Sequence, residues 1–147
     1  KIFKEKYRLE GIRIVHHTEY LKELIDSKSI RISRNDLKYV YHDPCELGRG
    51  CGIYEEPRKV ISEAGELVEA GKHHKESICC GGSLGSLSLG FDKRQPMTEN
   101  ALNNLTSASP DVIVTACPLC LSTFSRYADR PVEDIAETID KNMARQA

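Results

Sequence analysis

Apolar positions recur along this chain in two rhythms. Short runs rich in β-branched and aromatic residues fall at 11–16, 38–42, 66–69 and 112–116, and each reads as a strand. The last, Val112-Ile113-Val114-Thr115-Ala116, is apolar enough to be buried on both faces and so to be central. Between the strands the spacing turns helical. Tyr20, Leu21, Leu24 and Ile25 share one face of a helix capped by Thr18 and ending near Ser27. Pro57 suits the first turn of a helix that runs to about Ala64, with Gly65 past its end. Met97, Ala101, Leu102 and Leu105 predict a helix over 96–107. Another begins at Cys117-Pro118 and runs to about Tyr127, where Arg130-Pro131 breaks the chain. The final helix is expected over 132–144, with Ile135, Ile139 and Met143 facing inward. Strands and helices in alternation predict an α/β fold. The expectation is a single domain with a mainly parallel four-stranded sheet flanked by helices and right-handed crossovers.

Three of the four predicted strands lead into loops that carry cysteine. Cys45 follows the second, in His42-Asp43-Pro44-Cys45; Cys79 and Cys80 follow the third; Cys117 and Cys120 follow the last. Ligand-binding loops of open parallel sheets gather beyond the strands' carboxyl ends, so periodicity and cysteine placement point to one place. The spacing is C-x33-CC-x36-C-x-x-C. A Cys-x-x-Cys sets two sulfurs within reach of one metal centre. Adjacent cysteines on extended backbone point to opposite faces, so Cys79 and Cys80 converge only where the chain is irregular, which Gly81-Gly82 permits. The pattern predicts a metal or iron–sulfur site. Two other readings stay open. Four of the five cysteines suffice for a structural zinc site of four thiolates. Cys117-Pro118-Leu119-Cys120 after a buried strand also has the form of a dithiol–disulfide redox motif, although that leaves Cys79-Cys80 without a role.

Other candidates weigh less. Cys51, six residues after Cys45, reads as a spare thiol. His16 and His17 are expected to pack or hydrogen-bond between elements, and His73 and His74 to face solvent. His42 and Asp43 are placed to orient the loop holding Cys45. The glycine- and serine-rich stretch 79–90 can present backbone N–H groups to an anion.

Composition narrows the classes. With 21 basic and 22 acidic residues the net charge is −1, and no basic stripe interleaved with aromatics marks a nucleic-acid surface. No apolar run approaches the roughly 18 residues of a membrane span. Six cysteines in a 147-residue chain of ordinary composition argue for reduced thiols in the cytoplasm rather than for a disulfide scaffold. Residues 1–10 read as a linker or helix end. The missing initiator Met makes the chain, as an expectation, an excised fragment of a longer protein.

Three motifs taken together, His-Asp-Pro-Cys-x-Leu-Gly-Arg, Cys-Cys-Gly and Thr-Ala-Cys-Pro-x-Cys, resemble the cysteine-rich CCG domain of the heterodisulfide reductase and glycolate oxidase iron–sulfur subunit family. The likeness runs from about His16 to Met143. It implies a [4Fe-4S] cluster, in some members non-cubane, held by Cys45, Cys79, Cys80, Cys117 and Cys120. It further implies electron transfer or cluster-based reduction of a small substrate such as a disulfide. The implied partners are a second cysteine-rich domain and a flavin- or ferredoxin-type redox partner, with any membrane association made through partner subunits and little turnover by the isolated domain.

Overall fold

The computed structural model describes residues 6–7, 10–82 and 88–144. Four strands, β1 (Lys38–His42), β2 (Glu66–Val68), β3 (Val112–Thr115) and β4 (Val132–Asp134), form one sheet in the order β2-β1-β3-β4. Every pairing is parallel: Tyr39 lies opposite Leu67 and Val112, and Ile113 opposite Val132. The helices are α1 (His17–Asp26), α2 (Glu55–Ala64), α3 (Phe91–Thr106), α4 (Pro118–Phe124) and α5 (Ile135–Asn142).

Alternation along β1 and β3 divides the core into two halves, because successive side chains leave opposite faces. Tyr39, Tyr41, Val112 and Val114 pack with Val60 and Ile61 of α2, Ile135 and Ile139 of α5 and Leu21 and Ile25 of α1. Val40 and Ile113 face the other way, toward Ala101, Leu102 and Leu105 of α3 and Phe124 of α4. Strand β3 is buried throughout and lies between β1 and β4, as its unbroken apolar run requires.

Three elements differ from the sequence expectation. Residues 11–16 form no strand: Ile12 is exposed, and the backbone N–H of His16 donates to Glu19 rather than to a ladder. The alternating run serves instead to deliver His16 as the N-cap of α1, the place expected of Thr18. The fourth strand is Val132–Asp134, where periodicity suggests helix. Asp134 is both its last residue and the N-cap of α5, accepting from Ala136 N–H while Glu137 accepts from Asp134 N–H. Ile135 and Ile139 are buried as expected, but Met143 is exposed past the helix end. Helix α3 starts at Phe91, so Pro96 lies inside it.

Candidate functional site

The order β2-β1-β3-β4 contains a switch point. The chain leaves β1 through α2 toward β2 on one side, and leaves β3 through α4 toward β4 on the other. Diverging crossovers open a crevice outside the carboxyl ends of β1 and β3. Cys45 stands three residues beyond β1 and Cys117 two beyond β3. The cysteines thus lie at the one place where this topology leaves backbone and side chains free to meet a ligand.

Cys45 begins a single π-helical turn, Glu46–Gly50, and Arg49 from that turn donates to the carbonyls of Lys75 (3.2 Å) and Ser77 (2.9 Å). This bond ties the Cys45 segment to the chain that enters Cys79-Cys80. Beyond the pair, Gly81 takes a left-handed φ of +78°, which a side chain would resist. Its turn aims the N–H of Gly81 at the sulfur of Cys79 (3.5 Å) and that of Gly82 at the sulfur of Cys80 (3.4 Å). Thr98 of α3 fixes the turn by donating to the carbonyl of Cys80 at 2.8 Å. Cys117 is the N-cap of α4, and Pro118, which needs no N–H partner, is its first residue.

Two of the sulfurs are in direct contact: the Cys120 thiol donates to Cys80 at 3.1 Å. Cys79 and Cys117 lie close enough to this pair for their acidity to be set by it. Cys80 is pushed well below the usual thiol range, chiefly by donation from Cys120 and Cys79, with His42 and the Gly82 N–H adding to it against burial. Cys117 falls to about 6, first through Cys120 and then, against burial, through the backbone N–H groups of Cys120 and Leu119. Cys120 and Cys79 move the opposite way, each raised by its sulfur contacts and by burial. Cys45 is half-buried and near enough for its charge to raise Cys79. Cys51 is exposed where the π-helical turn ends.

Two buried polar groups lie at the carboxyl ends of β1 and β3. His42, 3% exposed, meets the ring of Phe124 edge-on at 4.8 Å, and its ring nitrogen groups with the sulfurs of Cys80 and Cys120 within 4.8 Å. It therefore faces Cys80 rather than steering the Cys45 loop. Thr115, paired in register with His42, has a buried hydroxyl with no hydrogen-bond partner among the described residues. Thiols, one imidazole, backbone N–H groups on sulfur and an unpaired hydroxyl are a donor set suited to a soft metal centre, in which hydrogen bonds to sulfur tune the metal.

The Cys45 segment is anchored from beneath. Arg58 of α2, buried, forms a two-pronged pair with Asp43 (2.7 and 2.8 Å) and also donates to Glu69 (2.7 Å) and the carbonyl of Tyr54 (2.9 Å). Asp43 additionally accepts from the N–H of His74 at 2.7 Å. Sequence reasoning does not reach this network. Its one signal is Arg58 itself, a charge three residues before Ile61 on the buried stripe of α2, where only a buried acid makes it tolerable. His73 and His74, expected in solvent, are half-buried. The part of the glycine-rich loop at 83–87 lies outside the described residues.

A family model described as a cysteine-rich domain matches residues 39–125, from β1 to just past α4. The chain belongs to this cysteine-rich (CCG) domain family. One subunit of the dihydromethanophenazine:CoB–CoM heterodisulfide reductase of Methanosarcina acetivorans is 34% identical over 131 residues, covering 83% of this chain and 32% of the relative. The EtfAB:quinone oxidoreductase of Syntrophomonas wolfei is 30% identical, over 88% of this chain and 20% of its own length. The probable iron–sulfur-binding oxidoreductase FadF of Bacillus subtilis is 27% identical, over 95% and 21%. This CCG domain therefore spans about a third or less of the relatives it matches. No helix among the described residues is long and apolar enough to cross a membrane.

Proposed function

We propose that this CCG domain binds an iron–sulfur cluster of the [4Fe-4S] type, with Cys45, Cys79, Cys80, Cys117 and Cys120 as its ligands, and serves as the cluster-bearing module of a larger oxidoreductase. The observation that carries this reading is the 3.1 Å contact of the Cys120 and Cys80 sulfurs, which joins the loop after β2 to the start of α4, with the ring of His42 beside both. Five thiols exceed the four that a tetrahedral zinc ion takes, and the relatives named above as iron–sulfur-binding or as heterodisulfide reductase support the same chemistry. When bound, such a cluster supplies one-electron chemistry at a potential set by hydrogen bonds to sulfur and by solvent exposure. The chain's own contribution is the N–H groups of Gly81 and Gly82, the buried His42 imidazole and the apolar walls of Phe124 and Ala101. The half-buried Cys45, Cys79 and Cys117 mark the side open to a reductant or to a small disulfide substrate. A second cysteine-rich domain and a flavin- or ferredoxin-type partner complete the electron path in the cytoplasm, and the isolated domain turns over little.

Anaerobic reconstitution with iron and sulfide tests this. The expected product is brown and holds iron and sulfide in about a four-to-four ratio. Cys79→Ser and Cys117→Ser lose it, and Cys51→Ser keeps it. One colourless zinc per chain and no iron uptake would establish the structural zinc site instead. A second reading has one observation in its favour: Cys117 is half-buried and acidic while Cys120 lies buried behind it, the arrangement of an attacking and a resolving thiol. A metal-free protein that cycles a Cys117–Cys120 disulfide with small thiols would establish that reading.

A further inference from the structure

On the far side of the Asp43–Arg58 pair, at the surface, a second group of metal-ligating side chains converges. One ligand atom each from Glu69, His73 and His74 falls within 4.8 Å of the others. We propose that these three residues form a second metal site, separate from the cysteines, for a divalent transition ion of the zinc class.

The backbone is shaped for it. Neighbouring side chains diverge on regular backbone, yet the rings of His73 and His74 meet with their Nδ1 atoms 2.5 Å apart. They do so because His74 occupies the left-handed region at φ +54°, a conformation uncommon for a residue with a side chain. Two contacts hold it there: its N–H donates to Asp43 at 2.7 Å, and its ring stacks on Tyr54 at 5.4 Å. Strain of this kind persists only where the surroundings impose it.

The protons point the same way. Nε2 of His74 faces the Glu55 carboxylate at 2.9 Å, and a carboxylate only accepts, so Nε2 carries the hydrogen. The Nδ1 of a neutral His74 is then a bare lone pair, and the hydrogen between the two rings belongs to His73. An imidazole that offers one nitrogen while giving its other N–H to a carboxylate is the common arrangement of zinc-bound histidine. For His73 to bind through Nδ1 its hydrogen moves to Nε2, so that both rings offer a bare Nδ1 and no net proton is lost. Glu69 supplies the third donor: Arg58 occupies two of the roughly four lone-pair positions of its carboxylate and leaves the rest. Two imidazoles and one carboxylate suit zinc and leave its fourth position to water. A cavity of about 330 Å³, lined by Tyr54, Gly71, both histidines, Lys75 and Glu76, opens at this spot and gives the ion a path. A bound ion would fasten the segment between β2 and Cys79.

Histidine side-chain nitrogen NMR during a titration with zinc ion alone, carried past the amount the sulfurs take, tests the site. The expected result is that Nδ1 of His73 and Nδ1 of His74 shift together with one further zinc per chain. His73→Ala and His74→Ala should each lower the zinc count by one. Glu55→Gln, which leaves all three donors in place, should weaken the site by about 10-fold or more. Unmoved histidine signals, movement of one ring only, or an unchanged zinc count in both alanine variants would overturn the proposal. None of these outcomes depends on whether the cysteines hold iron or zinc.

Discussion

The sulfur of Cys120 lies 3.1 Å from that of Cys80, forty residues earlier in the chain. Both side chains are buried; Cys80 lies in the segment after β2 and Cys120 in the first turn of α4, which follows β3. A thiol donating to a thiolate in low dielectric is a strong polar contact, and here it also joins the two halves of the cysteine set. Cys120 is also the first cause of the lowered pKa of Cys117, the neighbouring sulfur that solvent can reach.

A reactivity pattern in metal-free, reduced protein follows. Cys117, held at about 6, is mostly thiolate at pH 7.5, while Cys79 and Cys120 remain thiols. Alkylation should strike Cys117 ahead of Cys79, with a pH profile that bends near 6 rather than near the usual 8.5 of a free thiol. Cys120→Ala, which removes the first cause of the shift, should move that bend upward. Peptide mapping after brief alkylation across pH 5–9 checks both. A profile bending near 8.5 in the unaltered chain would show that the contact does not acidify Cys117.

Gly82 is required by its neighbours. A Cβ there would stand 2.1 Å from Thr123 Oγ1 and 3.1 Å from the Leu119 carbonyl, both on α4. Gly82→Ala should therefore destabilise the fold by about 1–3 kcal/mol through overpacking. Thr123→Ala added to it removes the nearest clash and should recover part of the loss. Urea unfolding of the three proteins measures this, and equal stability of Gly82→Ala and the original chain would contradict the packing seen here.

Much of this architecture is legible in local periodicity. The runs at 38–42 and 112–116 and the cysteines following them place the site at the strands' carboxyl edge, because burial on two faces and loop cysteines are both local signals. The departures from expectation have a common cause. Residues 11–16 alternate as a strand does, but alternation says nothing about whether a sheet edge is available, and β4 takes the place beside β3. Val132–Asp134 is too short for a period, although Asp134-x-x-Glu137 announces a helix start after it. The Arg58–Asp43–Glu69 network joins residues 15 and 11 positions apart across three elements, and no local pattern encodes such a meeting.

Arg58 offers a test of how that network supports the site. Its side chain is 6% and that of Asp43 2% exposed, so removing the guanidinium leaves a buried carboxylate without its partner. Arg58→Ala should cost about 3–5 kcal/mol. Asp43→Asn added to it should restore part of the loss, since it neutralises the stranded charge. Arg58→Lys should fall between, as an ammonium cannot reproduce the two-pronged contact. Chemical denaturation gives all four values. A double variant less stable than Arg58→Ala would mean that the charge of Asp43 is satisfied elsewhere.

His16 predicts how stability depends on pH. As N-cap of α1 it accepts from the N–H of Thr18 at 3.3 Å through Nδ1, which also lies 2.9 Å from the Thr18 hydroxyl. Only the neutral ring can accept, and protonation ends the cap. Burial first, and the neighbouring His17 second, push His16 down from 6.5 to about 4. The unfolded chain then binds the proton more readily than the folded one between those two values. The contribution of His16 is therefore fully present above about pH 6.5, declines as pH falls toward 4, and changes no further below that. The ring is only half-buried, so solvent screening keeps the effect to the scale of an ordinary cap, about 1 kcal/mol. His16→Asn keeps an acceptor that does not titrate. Its stability relative to the original chain should rise as pH drops from 7.5 to 4.5, whereas His16→Ala should start about 1 kcal/mol below the original and converge on it. Unfolding free energies at four or five pH values suffice, and parallel curves for the three proteins would rule out titration of this cap.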